Sequence, residues 1–289
     1  MTATVLADAL GPKARRRVWI ASIVAAVLVA AVIGVAVQRL ADRNQFDEAL
    51  WKPLTQRSVI RFFLTGLANT MKAAMVAMGL ALVLATFLAL GRLARNKPVR
   101  WAAGAWVEFF RAMPLLLLIY FSGLGLPKYG IQLPVFWYLV LALVAYNGAV
   151  VAEIFRAGIL SLDRGQSEAA YAIGLSYWQA MFTVIVPQAV RRMVPAIVSQ
   201  LVTLLKDTSL GYVITYEELL RRGRLSGEFY GNMLQSLVFV AAFYVVVNFA
   251  LSQVARRLEV RQRRRYNAGA MDVAGVEDLA TVAAEGRRA

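Results

Sequence analysis

Four polar residues in succession, Lys206, Asp207, Thr208 and Ser209, interrupt an otherwise apolar run at 189–213. Adjacent residues on a helix do not face each other, so Lys206 and Asp207 need separate partners or a water-filled cavity. A charge at the centre of a bilayer costs about 2.5–3.5 kcal/mol even on the lenient insertion scale. These side chains therefore either hold a buried ion-pair network or line a path for a polar solute. Residue chemistry leaves both open.

Two further charged pairs fall in apolar surroundings. Glu108 and Arg111 stand three residues apart, a spacing that lets them pair on one helix face, and Glu153 and Arg156 repeat it. Arg111 also suits the carboxylate of an amino acid, which its guanidinium can hold through two parallel hydrogen bonds. Pro114 follows and predicts a kink with a freed carbonyl. Asn147, in the middle of a run, is suited to an interhelical hydrogen bond first and to ligand contact second. The candidate lining of a solute path is thus Arg111, Asn147, Lys206, Asp207, Thr208 and Ser209.

What is missing narrows the chemistry. The 289 residues include no cysteine and no histidine, which removes thiolate nucleophiles, thiolate metal sites and any triad with a histidine base. No metal site is expected. An intramembrane enzyme would have to work with Lys206 and Asp207 alone. No Gly-x4-Gly-Lys-Ser/Thr phosphate loop occurs either, so ATP hydrolysis is not expected of this chain.

The elements that position these residues are spans. The chain is 60% apolar and 17% charged, where soluble domains have about half and about a quarter. Apolar runs lie at Val18–Val37 and at about 69–91, 105–126, 134–155, 189–213 and 233–253. Each approaches the roughly 20 residues that a helix needs to cross a bilayer. The first run follows Lys13, Arg15, Arg16 and Arg17, and it is long for a signal-peptide core, which favours an uncleaved span. With the N-terminus inside, six spans place 20 Lys and Arg residues inside and nine outside. That bias predicts cytoplasmic N- and C-termini. It also accounts for the net charge of +15 without nucleic acid as a partner. The basic run at Arg261–Arg265 suits anionic lipid, and 266–289 reads as a disordered tail.

One connection is longer than two spans require. Between the fourth and fifth runs, 156–188 is amphipathic, with Ala169, Ala170, Ile173 and Leu175 able to face one way and Gln166, Glu168 and Gln179 another. Ser167 is a candidate cap that would place Glu168 in the first turn, where the helix dipole favours it. Gly174 would end this helix ahead of Tyr177 and Trp178. A short helix shown to the cytoplasm is either a docking element or an interfacial helix on the headgroups.

Glu168-Ala169-Ala170, then Gly174, then Val184-Ile185-Val186-Pro187 resembles the EAA loop of ABC importer permeases. Arg156, Gly158 and Ile159, Gly165 and Gln166, Pro187 and Gln188, Leu205 to Leu210, Thr65 to Thr70, and Phe110 to Pro114 resemble the polar amino-acid branch, in register over roughly 62–255. Ser199-Gln200 departs from the Asn-Gln expected there, and the first span is an addition to a five-helix core. The resemblance implies an all-α, polytopic transmembrane bundle of the type I ABC importer permease class. It would comprise a basic N-terminus (1–17), an extra span (18–37) and a transport core (62–255). Gly165, Gln166, Glu168, Ala169, Ala170, Gly174 and Pro187 would couple to an ATPase. The implied partners are an ABC ATPase pair that carries the ATP and Mg, a second permease chain, an extracytoplasmic amino-acid-binding protein, and the lipid of a bacterial inner membrane. Glutamate is the first expected cargo, then glutamine or aspartate. The competing expectation is an ion-driven secondary amino-acid transporter, which would leave the long connection without a role.

Overall fold

The computed structural model describes residues 11–257 and residue 260. The expected tail at 266–289 and the run Arg261–Arg265 lie outside the described residues, as does most of the basic segment 1–17. Among the described residues every regular element is helical. The helices are α1 (Pro12–Asp42), α2 (Glu48–Trp51), α3 (Arg57–Leu93), α4 (Lys97–Ala112), α5 (Leu115–Tyr120), α6 (Val135–Leu160), α7 (Arg164–Ala172), α8 (Tyr177–Ala180), α9 (Val186–Asp207), α10 (Leu219–Tyr230) and α11 (Met233–Arg257).

The centre of the bundle is the contact of α3 with α6. On α3, Ala73, Ala77, Ala81, Ala85 and Ala89 recur at every fourth position and are buried to 2% exposure or less. A stripe of methyl groups lets a neighbouring backbone approach closely. Leu139, Leu143, Val151 and Ala152 of α6 join Ala73, Ala77 and Ala85 in one core. At Gly148 a Cβ would lie 2.7 Å from the Leu84 side chain of α3, so a larger residue there would have to push that side chain aside. At Gly79, by contrast, a Cβ would meet nothing within 4 Å.

Among the described residues five helices are long and apolar enough to cross a membrane, and one bent pair makes a sixth if it counts as a single span. The break falls at Pro114, where α4 and the segment Leu115–Tyr129 meet at 98°. Proline has no N–H to give its preceding turn, so the expected kink becomes a corner. The fifth run is longer than its sequence suggested. From Tyr177 to Ile214 the chain is one rod of 38 residues, with a π-turn at Met181–Ile185 and a 3₁₀ end at Thr208–Ile214. That π-turn contains Thr183, four residues before Pro187, and the π-turn Phe121–Gly125 contains Gly123, four before Pro127. A wider turn accommodates the carbonyl that each proline cannot engage. The connection between spans therefore shrinks from the expected 156–188 to 161–176. α1 starts before Val18, and none of its apolar window is buried against the chain.

Two polar knots fix the ends of the bundle. At the α7 end, Glu153 takes an ion pair from Arg92 at the end of α3, from Arg111 at 4.0 Å and from Arg156 at 3.9 Å. The expected Glu153–Arg156 pair forms. The expected Glu108–Arg111 pair does not, because Arg92 lies between the helices and takes Glu108 at 3.7 Å while Arg111 turns to α6.

At the other end, Glu218 caps α10 with zero exposure. Its carboxylate accepts from the N–H of Leu220 (2.8 Å) and of Arg221 (2.6 Å) and from the Tyr244 hydroxyl (2.8 Å). The Leu219 N–H donates to Thr70 at 3.1 Å, Asn69 donates to the Glu217 carbonyl at 2.9 Å, and Arg222 pairs with Glu217 at 3.0 Å. Burial pushes the Glu218 carboxyl up from 4.5 to about 7, and its three donors pull the other way. Tyr216 is pushed up to about 12, first by burial and then by the charge of Glu218.

Both knots give measurable expectations. Glu153→Gln leaves three guanidinium groups around a neutral side chain and should cost about 1–3 kcal/mol, between the surface and fully buried limits. Thermal unfolding in detergent reads this, and an unchanged midpoint would show that the hub carries no stability. For Glu218 the folded value lies above the ordinary one, so its contribution is complete below pH 4.5 and is lost as pH rises through about 7. The unfolding midpoint should fall across that window in the native chain and be flatter in Glu218→Gln. Glu218→Ala removes the cap and orphans the Tyr244 hydroxyl, and should cost about 1–3 kcal/mol at any pH.

Candidate functional site

The candidate coupling element is α7, nine residues long. Its cap is Asp163, whose carboxylate accepts from the Gly165 N–H at 2.7 Å. Ser167, the expected cap, lies inside the helix and donates to the Arg164 carbonyl. The helix starts earlier than Ser167 predicted because Asp163 already caps it, its carboxylate accepting a first-turn N–H. Glu168 consequently sits beyond the first turn, outside the reach of the end charge.

The end of α7 follows the sequence. Gly174 adopts φ +86°, its N–H donates to the Tyr171 carbonyl (2.9 Å), and the Leu175 N–H donates to Ala170 (3.1 Å). This pattern closes a helix through a left-handed residue, which glycine adopts without a Cβ penalty. Ser176 then begins α8 with a capping box, so Gln179 belongs to that box and not to the α7 surface.

α7 is seated on the start of the following rod, touching α8 and the π-turn. Ala170 is the buried residue of this helix. Gln188 donates to Gln166 at 2.9 Å. Beneath them Leu162, Met181, Ile185, Ala189 and Met193 form a small apolar core. The other residues expected on the apolar face do not all follow: Ala169 is exposed, Leu175 is half-buried and Ile173 is 78% exposed. Outward lie Glu168, Ala169, Tyr171, Ile173 and Gly174, with Trp178 stacked on Phe182 beside them at 5.8 Å. Glu168 has neither hydrogen bond nor ion pair among the described residues. Gly165 and Pro187 are exposed at the starts of α7 and α9.

The expected path residues separate. Asn147 is fully buried, donates to the Leu143 carbonyl (3.0 Å) and accepts from Gln200 on α9 (2.8 Å), so it ties α6 to α9. Thr208 is fully buried and donates to the Leu205 carbonyl at 2.6 Å. Arg111 belongs to the Glu153 hub at the α7 end, away from Lys206 and Asp207 at the far end of α9. Lys206 is exposed, and Asp207 and Ser209 are half-buried. Among the described residues no three acidic side chains converge as a metal cage.

Sequence reasoning missed four residues that tie helices together: Arg92, Gln200, Glu218 and Tyr244. Arg92 was visible only as a topology charge. Gln200 stood out as part of a motif departure and not as a partner. The signal for Glu218 was an acidic residue directly ahead of an amphipathic segment, a capping position. Tyr244 carried no signal of its own.

The sequence profile described as the binding-protein-dependent transport system inner membrane component matches residues 81–264. The glutamate transport system permease protein GluD of Corynebacterium glutamicum is 41% identical over 230 residues, covering 78% of this chain and 84% of that protein. The arginine transport system permease protein ArtQ of Bacillus subtilis is 36% identical over 201 residues, covering 69% and 92%. Among solved structures, an amino acid ABC transporter with histidines superimposes with a TM-score of 0.68 at 31% identity, covering 73% of this chain and 97% of that one. With its broken third crossing, alanine-striped core and glycine-ended helix between spans, this chain belongs to the family of binding-protein-dependent transport system inner membrane components.

Proposed function

We propose that this chain is the membrane-spanning permease subunit of an ATP-driven, binding-protein-dependent importer of polar amino acids, with glutamate as its first cargo. The observation that carries the reading is α7, a short helix with a free carboxylate at Glu168 and an uncovered apolar side at Tyr171 and Ile173. A protein of this kind needs an external motor, and α7 has the shape of its docking point. ATP and Mg belong to a separate ATPase pair, and an extracytoplasmic binding protein delivers the cargo. The basic bias supports a cytoplasmic side for the N- and C-termini and for α7. Relatives named for glutamate and glutamine transport support the cargo class. A second permease chain completes the path, for only 22% of the apolar window of the Tyr177–Ile214 rod and 6% of that of α11 are buried within one chain.

Movement follows from the seating of α7. When ATP binding closes the ATPase pair, force on α7 passes through the core of Leu162, Met181 and Ile185 into the base of the α8–α9 rod. The rod then rotates as a body and opens the path outward, and hydrolysis resets it.

Gly174 provides a sharp test. A Cβ there meets no atom within 4 Å, so a larger side chain does not clash inside the chain. Its positive φ still disfavours one, by about 1–2 kcal/mol for most residues and less for Asn. Gly174→Leu should leave the protein in the membrane and lower transport-coupled ATP hydrolysis at least tenfold, about 1.4 kcal/mol of coupling. Gly174→Asn should retain most of it. ATPase activity of the reconstituted complex with and without the binding protein measures both. Full coupling in Gly174→Leu, or uptake by the chain alone under an ion gradient, would overturn the importer reading.

A further inference from the structure

A polar groove of about 320 Å³ lies between α9 and α11. Its lining is drawn from two helix stripes. Ser199, Val202, Thr203 and Lys206 recur on one face of α9, and Ser252, Ala255 and Arg256 on one face of α11. Val202 and Ala255 are buried at 9% and 8% exposure and form the floor. Ser199, Thr203, Lys206, Ser252 and Arg256 are exposed into the opening. The walls therefore carry three hydroxyls and two cations, and no lining residue is acidic.

Lys206 lies within its apolar run, where a bare cation carries a cost of kilocalories, and Arg256 lies just past the end of the run at 233–253. Neither Lys206 nor Arg256 is within ion-pair distance of a carboxylate among the described residues. Asp207, adjacent to Lys206 in sequence, attracts it but is half-buried and projects from a different side of the helix. The groove volume falls at the small end of ligand sites, which run from about 300 to 1,000 Å³.

We infer that this groove is the carboxylate-binding subsite of the transport path, taking an acidic amino acid between Lys206 of α9 and Arg256 of α11. The inference rests on the importer reading and deepens it, because it assigns cargo selectivity to named side chains. Arg256 offers a planar fork that matches a carboxylate, and Lys206 a compact point charge. The hydroxyls of Ser199, Thr203 and Ser252 supply the remaining hydrogen bonds. A neutral amide cargo keeps its α-carboxylate but loses the second charge, so two cations favour glutamate over glutamine. Asn147 and Thr208 play no part in this subsite, since both are buried and bonded within the bundle.

The test uses the permease with its ATPase partner in lipid nanodiscs, without the binding protein, so that cargo selectivity is that of the path. Equilibrium binding of radiolabelled L-glutamate should weaken at least about tenfold in Lys206→Gln and in Arg256→Gln, while glutamine binding changes by less than about threefold. Lys206→Arg and Arg256→Lys should recover most glutamate binding. A second measurement on the native complex does not depend on variant folding: glutamate should shield Lys206 from an amine-acylating reagent, read by mass spectrometry, and glutamine should shield it less. Equal losses for both cargoes, unchanged glutamate binding in both neutral variants, or no shielding would overturn the subsite. A native complex that imports another amino acid under ATP and does not bind glutamate would overturn the subsite and leave the importer reading standing. A native complex that imports none would overturn both.

Discussion

Five alanines at every fourth position of α3 set the distance between α3 and α6, and that distance decides the rest of the bundle. In lipid there is no hydrophobic drive between helices, so association depends on packing, and packing depends on how near two backbones can come. The alanine methyls and Gly148 permit the approach, and Leu84 fills the space that glycine leaves. Once the two helices are in register, Arg92 at the end of α3 falls beside Glu153 of α6. At the opposite end Thr70 of α3 falls where it can receive the Leu219 N–H. A larger residue in the stripe would separate the helices and undo both knots together.

The two knots differ in kind, and the difference suits their positions. The Glu153 hub joins three arginines to two carboxylates from α3, α4 and α6, and so holds α4 at the bundle edge. The Glu218 knot has no cation on the carboxylate itself. It satisfies a buried acid with two backbone N–H groups and one hydroxyl, which leaves burial the dominant influence on its protonation. Thr215, just ahead of it, holds φ at +66°, a left-handed conformation that a β-branched residue seldom adopts. The connection from the Tyr177–Ile214 rod to α10 is thus over-determined by its hydrogen bonds.

Much of this was legible in the sequence, for identifiable reasons. Spans were visible because lipid demands long apolar runs, and Gly174 because its φ allows almost nothing else. Pro114 announced a kink but not its size, since a missing N–H says where a helix breaks and not how far it turns. The Ser167 and Glu108–Arg111 expectations failed for a shared reason. In each case another residue was better placed: Asp163, four residues ahead of Ser167, and Arg92, from a different helix than Glu108 and Arg111. Asn147 was correctly read as an interhelical donor or acceptor, yet Gln200 could not be named because its alignment with α6 depends on how the α8–α9 rod crosses it. The apolar face of α7 was overdrawn, because amphipathic spacing marks which residues can share a face and not which of those faces is covered.

The rod from Tyr177 to Ile214 is what joins the two functional regions. At about 1.5 Å per residue its 38 residues exceed 50 Å, longer than the hydrocarbon layer. Its base holds α7 through Ala170, Gln188 and the apolar core beneath, and its upper stretch carries Ser199, Thr203 and Lys206. A displacement of α7 therefore reaches the groove without passing through a flexible connection. α7 sits on the π-turn at the base of this rod, and Lys206 lies toward its other end. Rotation of the rod as a body would move Lys206 relative to Arg256, which sits on a separate helix. A cation pair that holds a carboxylate at one separation releases it at another, so the geometry that selects the cargo is also the geometry that a motor acting on α7 would change.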